Sequence, residues 1–120
     1  MKQRIIKFKA WDRNSAKFIG WFRMLKDGFG SYLNNVHYKV LQFTGLKDKN
    51  GKEIYEGDII KTLFMGQKGI IIGEVIWADS GFFVGYKEYK DDLFPWSFYK
   101  VVEVIGNKFE NPELLKGVKE

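Results

Sequence analysis

The residues able to do chemistry in this chain are few, and they do not converge. Glu56 and Asp58 flank Gly57 in Tyr55-Glu56-Gly57-Asp58, a spacing at which two carboxylates could hold a metal or share acid–base work. The same four residues also read as a turn. Gly57 there supplies a positive φ and Asp58 bonds to neighbouring backbone, and turn chemistry is the expectation taken here. The single histidine, His37, lies on an alternating, strand-like run. A catalytic base needs a nucleophile and an orienting acid around it. Ser15, Ser31, Ser80 and Ser97 all fall in turn-like or irregular contexts instead. Asp91 and Asp92 are adjacent, so on a strand they would point to opposite faces. No Asp-x-Asp-x-Asp loop is present, and Gly28-x-Gly30 alone makes no phosphate cradle. Cysteine is absent, which excludes disulfides and thiolate metal sites and suits a reducing cytoplasm. The expectation is a non-enzymatic protein with no cofactor and no metal.

Binding chemistry is better represented. Arg4 to Trp11 alternates, with Ile6, Phe8 and Ala10 on one face and Lys7, Lys9 and Trp11 on the other. Asp12 to Ser15 reads as a turn, and Lys17 to Phe22 as the returning strand of a hairpin. Lys7, Lys9, Trp11, Arg13 and Lys17 are therefore the candidate contact residues for nucleic acid or a protein partner. Cations meet phosphates and an indole stacks on bases. The competing reading is a solvated strand face whose tryptophan covers a loop or subunit contact. Residues 1–52 hold 12 Lys+Arg against 3 Asp+Glu, and residues 53–120 hold 8 against 12. One half is strongly basic and the other mildly acidic, which points to a polyanion-facing surface or to head-to-tail self-association.

The elements that must position these residues are strands. Thr44 to Tyr55 reads as a hairpin whose register charge can decide. A two-residue turn at Asn50-Gly51 would oppose Lys49 to Lys52 and Asp48 to Glu53. A three-residue loop with Gly51 left-handed instead pairs Asp48 with Lys52, Lys47 with Glu53 and Leu46 with Ile54. At about 0.2–1 kcal/mol per pair, the second is expected. Asp58 to Phe64 is β-branched and apolar, a buried strand. A turn at residues 65–68 leads to a long strand from Ile70 to Trp77, with Gly73 a bulge or bend. Residues 79–81 turn it, Phe82 to Tyr86 returns, and 87–92 is a charged loop. Phe94 to Ser97 is a strand edge or turn, because proline cannot sit in a central ladder. Val101 to Ile105 closes the sheet.

In the segment Arg23 to Val36, Asp27 to Gly30 is loop-like, and Tyr32 to Val36 reads as a short helix or as irregular, with irregular the expectation taken. Asn111-Pro112-Glu113-Leu114-Leu115 has the form of an N-cap, a proline at the first helical position, an acid and an apolar end, hence one helical turn. Trp77, Phe82, Phe83, Trp96, Phe98 and Tyr99 could stack bases or grip a proline-rich peptide, but the expectation is a core of large side chains with a few at a subunit contact, since the acidic second half would repel phosphates.

Three islands resemble the YopX-type family of bacteriophages and prophages. They are Ile6 to Asp12, Phe43 to Ile59 (FTGLKDKNGKEIYEGDI), and Val104 to Asn107 with Glu110 to Leu115. The middle island is the specific one. The resemblance implies a mostly β fold and a phage or prophage product in a bacterial cytoplasm. It transfers no catalytic residue.

The expected fold is all-β, a curled antiparallel sheet or SH3-like barrel with an N-terminal β-hairpin and one short C-terminal helical turn. It forms one domain over 1–116, with the hairpin and irregular segment in 1–45 and a barrel-like core in 46–107. The helical turn occupies 108–116 and a frayed tail 117–120. A chain of 120 residues buries roughly 65% of its unfolded surface, enough for its own core. No apolar run is long enough for a membrane span, and the charged start lacks a signal-peptide core. The expected function is an interaction or self-assembly module, possible partners being a second copy, another protein or, as the alternative, nucleic acid.

Overall fold

The computed structural model describes residues 5–64, 71–78, 81–85, 93–95 and 99–116. The fold is all-β in character, built among the described residues from two antiparallel sheets and three short helices.

The first sheet contains β1 (Phe8–Asp12), β2 (Lys17–Ile19), β3 (Tyr38–Lys47) and β4 (Glu53–Tyr55), in the order β2-β1-β3-β4. Asp12 makes the first turn, its Oδ1 accepting from the N–H groups of Asn14 and Ser15. Strand β2 stops at Gly20, short of the expected Phe22. The segment expected to be irregular instead folds as α1 (Trp21–Asp27) and α2 (Phe29–Leu33), broken at Gly28, whose φ of 96° no helix accommodates. Burial explains the helices better than propensity does. Met24 and Tyr32 drop onto Ala10, and Phe8, Ile19, Trp21, Phe29, Tyr38 and Val40 pack around them. Helices this short hold together by tertiary packing.

The central hairpin has the expected loop. Gly51 takes φ 83°, Lys47 pairs with Glu53, and the Asp48 N–H donates to the Lys52 carbonyl at 2.8 Å. The predicted pairing of Leu46 with Ile54 does not form. Register slips between Phe43–Tyr55 and Lys47–Glu53, which places two extra residues on β3. Gly45 at φ 89° absorbs them, Thr44 Oγ1 donates to the Ile54 carbonyl, and Leu46 swings outward. A bulge lets the hairpin bury Ile54 while turning a second apolar residue away.

The second sheet runs β8-β7-β6-β5-β9, built from β5 (Asp58–Phe64), β6 (Ile71–Ala78), β7 (Gly81–Gly85), β8 (Leu93–Pro95) and β9 (Tyr99–Asn107). Ile54, Ile60, Val75, Val84 and Val102 form its core, with Phe82 and Val104 against them. The proline-containing β8 is an edge strand, as its residue type requires. The expected turn at 65–68 and the charged loop at 87–92 lie outside the described residues, as do Trp96 and Ser97. So does all of the turn at 79–81 except Gly81.

Gly73 makes no bulge in the β5–β6 ladder, whose register runs unbroken from Ile59–Glu74 to Thr62–Ile71. It permits a close approach instead, because a Cβ there would sit 2.7 Å from the Gly85 carbonyl oxygen. The curl comes from the β5–β9 ladder, with register shifts at Ile59/Ile60 and Thr62/Phe64. Among the described residues β9 pairs with β5 alone, so the result is a curled open sheet, not a closed barrel.

The C-terminal turn forms as α3 (Glu113–Lys116). Asn111 is not its side-chain cap: Asn111 Oδ1 accepts from the Asn107 N–H at 3.2 Å, and its carbonyl receives the Leu114 N–H. Gly106 makes room for this, since a Cβ there would meet Asn111 Oδ1 at 2.6 Å and Leu114 at 2.9 Å.

Candidate functional site

Two sheets that share one chain must be joined, and the candidate contact residues lie largely at that joint. Asp48 is buried in the hairpin loop. Its Oδ1 accepts from the N–H groups of Asn50 (2.8 Å) and Lys52 (2.9 Å), and its Oδ2 from the Val104 N–H at 3.0 Å. The Lys49 N–H also donates to the Val102 carbonyl. The loop thus covers the open edge of β9 and ties the sheets together. Burial pushes the Asp48 carboxyl up, but the N–H groups of Val104, Lys52 and Asn50 outweigh it and hold it below its ordinary value.

The turn reading of Tyr55 to Asp58 also holds. Gly57 has φ 90°, and Asp58 Oδ2 accepts from the Tyr55 N–H at 2.8 Å. The Gly57 N–H donates to Val75 and its carbonyl accepts from Lys108. Asp58 is buried, and burial raises its carboxyl despite the bond from Tyr55. Glu56 faces elsewhere, toward the Gln42 N–H.

Lys7, just before β1, shares one face with Lys9 and Trp11 on it, as their alternation requires, but that face is turned inward. Lys7 Nζ pairs with Glu53 Oε2 at 2.5 Å. Lys9 Nζ lies 4.3 Å from the centre of the Phe18 ring and 4.5 Å from that of Tyr55. Burial pulls the Lys9 ammonium below its ordinary value, and the Asp58 charge opposes this. Trp11 stacks on Phe109 at 5.4 Å and meets Phe18 edge-on at 4.8 Å. The Tyr55 phenol, buried and beside the Glu53 carboxylate, is pushed up to about 12. The expected solvent-facing stripe of cations is therefore a seam within the molecule. Its lysines are held by ring faces and a carboxylate, a geometry that period-2 patterning cannot distinguish from an exposed one.

Arg13 and Lys17 remain exposed at the first turn. Arg13 Nη1 donates to the Val36 carbonyl at 3.0 Å, which ties the hairpin to the residues after α2. His37 Nδ1 meets the Asn14 amide at 3.3 Å, with no carboxylate or hydroxyl among its hydrogen-bond partners in the described residues. There is also no group of three or more His, Asp or Glu able to hold a metal among those residues.

The feature that sequence reasoning missed lies on the helices. Phe22 is 87% exposed, Leu25 51%, Leu33 57% and Val36 80%, all within one short segment. Arg23 and Lys26 stand among them. Asp27 is occupied, accepting from Arg23 Nε at 2.9 Å and from the Tyr32 hydroxyl at 2.5 Å, which pushes that phenol up to about 12. The spacing of Trp21 and Met24 against Phe22 and Leu25 was the available signal: one apolar stripe turns to the sheet and a second to solvent.

The fold is that of a small, mostly β protein with an internal cation seam and exposed apolar side chains on its helical segment. Comparison with known proteins gives the family. The family described as YopX protein matches residues 8–116, and the chain belongs to it. The SPbeta prophage-derived uncharacterized protein YopX of Bacillus subtilis (strain 168) is 36% identical over 73 residues. That match takes in 58% of this chain and 54% of the relative, so it spans about half of that protein's length. The crystal structure of protein EF1440 from Enterococcus faecalis is similar at a TM-score of 0.62 and 29% identity, covering 94% of this chain and 99% of that one. The crystal structure of YopX from Bacillus subtilis shares the fold at a TM-score of 0.53 and 18% identity, covering 91% and 97%. Among the described residues no helix is long and apolar enough to cross a membrane.

Proposed function

We propose that this chain is a non-enzymatic phage or prophage accessory protein that acts as an interaction module, associating first with a second copy of itself through the α1–α2 face. The observation that carries this reading is the exposure of four large apolar side chains, Phe22, Leu25, Leu33 and Val36, within residues 21–36. Folding leaves these side chains unburied, and exposed apolar surface of this kind marks interaction sites. Burying one fully exposed side chain of this kind is worth about 1.5–3 kcal/mol, so the exposed fractions of these four supply roughly 4–8 kcal/mol before the costs of association.

Charge selects the geometry. A symmetric contact that set Lys26 near its own copy would be repulsive, Arg23 being already paired with Asp27. An acidic surface such as the exposed Glu110 and Glu113 near α3 fits better, giving a head-to-tail contact. The prophage origin of the Bacillus subtilis relative supports the phage context.

Sedimentation velocity over a wide concentration range tests the reading. The expected result is a mass that rises with concentration, falls with added salt, and reverts to monomer in Phe22→Ser. A monomer at every concentration in low salt would overturn self-association.

A further inference from the structure

The helical segment and the first hairpin enclose a shallow groove of about 470 Å³ between α2, the residues leading into β3, and the β1–β2 turn. Its polar lining consists of Arg13, Tyr32, Asn34, Asn35, Tyr38 and Lys39, with no carboxylate among the lining residues. Neither Arg13 nor Lys39 takes part in an ion pair among the described residues. Arg13 gives Nη1 to the Val36 carbonyl. That bond ties the guanidinium to a wall of the groove and leaves its other donors available. Asn35 spends its Oδ1 on the His37 N–H, so its remaining amide group is a donor. The groove is rich in donors and carries two unpaired cations. Leu33 and Val36 line it as well, both largely exposed, and give it an apolar margin.

We infer that this groove binds the phosphate backbone of single-stranded nucleic acid, with Arg13 and Lys39 on the phosphates and the Leu33–Val36 margin against sugar or base. A charged fork matches phosphate oxygens, and a strand with unstacked bases offers both the anion and the apolar surface the groove requires. The volume falls within the range of small-ligand sites. The strongly basic N-terminal half supplies the long-range field that draws a polyanion toward it. The groove shares Leu33 and Val36 with the exposed apolar segment, whereas Phe22 and Leu25 lie outside the groove and Arg13 and Lys39 outside that segment, so substitutions at Phe22 and at Arg13/Lys39 separate the two readings.

Anisotropy of a labelled mixed-sequence 12-nucleotide DNA or RNA tests it, at about 50 and about 200 mM salt. Two phosphate contacts predict a salt slope near −1.4, hence a loss of about sevenfold in affinity over that interval. Arg13→Glu/Lys39→Glu is expected to abolish binding. Lys26→Glu/Lys47→Glu makes the same change in net charge away from the groove and is expected to weaken binding only a few-fold. Phe22→Ser is expected to bind the oligonucleotide normally while failing to self-associate. Absence of binding at low salt would overturn the inference. So would equal loss in the two charge-reversal variants, or amide shifts at the groove with inorganic phosphate but none with the oligonucleotide.

Discussion

Replacing Asp48 by alanine removes the acceptor for three backbone donors, those of Asn50, Lys52 and Val104. The two loop donors can turn to water, at about 1 kcal/mol each. The Val104 N–H, on the edge that the loop covers, costs about 1–2 kcal/mol when orphaned. The expected loss is about 3 kcal/mol, which for a chain of this size lowers the melting temperature by about 12 °C. Asn at 48 keeps one acceptor oxygen but sets an amide against an N–H, so Asp48→Asn should lose about half as much. The dependence on pH follows from the direction of the shift. Because the folded-state carboxyl lies below its ordinary value, its contribution is complete above the unfolded value of about 3.9. It is lost as pH falls through the folded one. Urea unfolding of wild type and Asp48→Asn from neutral pH to about pH 3 should show a constant gap above about pH 5 that closes below about pH 4. A gap within 0.5 kcal/mol at neutral pH (roughly the scatter of ordinary surface changes), or one that does not close in acid, would refute the stitching role of this carboxylate.

Gly57→Ala and Gly45→Ala both place a Cβ at a φ near +90°, but the first also sets it 3.1 Å from the Phe109 ring while the second meets open space. Gly45→Ala should cost about 1 kcal/mol and Gly57→Ala about 2–3 kcal/mol by denaturant midpoint, and equal losses would contradict the packing assigned to Phe109. Ultraviolet titration of the phenols should show a late wave near 12. Tyr32→Phe and Tyr55→Phe should each remove part of it, and a wave unchanged in both variants would contradict their environments. A double-mutant cycle on Lys7→Met and Glu53→Gln should give a coupling of about 1 kcal/mol, since both side chains keep partial solvent access; zero coupling would mean the pair does not join β1 to β4.

What was legible in the residues was largely local. Turn glycines announced their positive φ at Gly51 and Gly57. Charge pairing chose the hairpin loop, and β-branched runs marked β5 and β6. Partners distant in sequence were not legible. Alternation put Lys7, Lys9 and Trp11 on one face but could not say that Tyr55 and Phe109 would cover it, because the covering residues follow tens of positions later. The helices were missed for a related reason. Residues Trp21 to Leu33 contain two glycines and have weak helical preference, and the sheet face beneath them decides their state. Likewise Asp48 was expected to pair with the Lys52 side chain, yet it bonds backbone N–H groups. Charge counting sees ions and not amides.

Amide hydrogen exchange at low and high protein concentration tests most directly whether the helical face is the surface this protein offers to partners. The account predicts added protection at high concentration in residues 21–36 and in the turn around Glu110 and Glu113, with β1 and β2 unchanged. Concentration-dependent protection centred on residues 7–11, or none between 21 and 36, would contradict it.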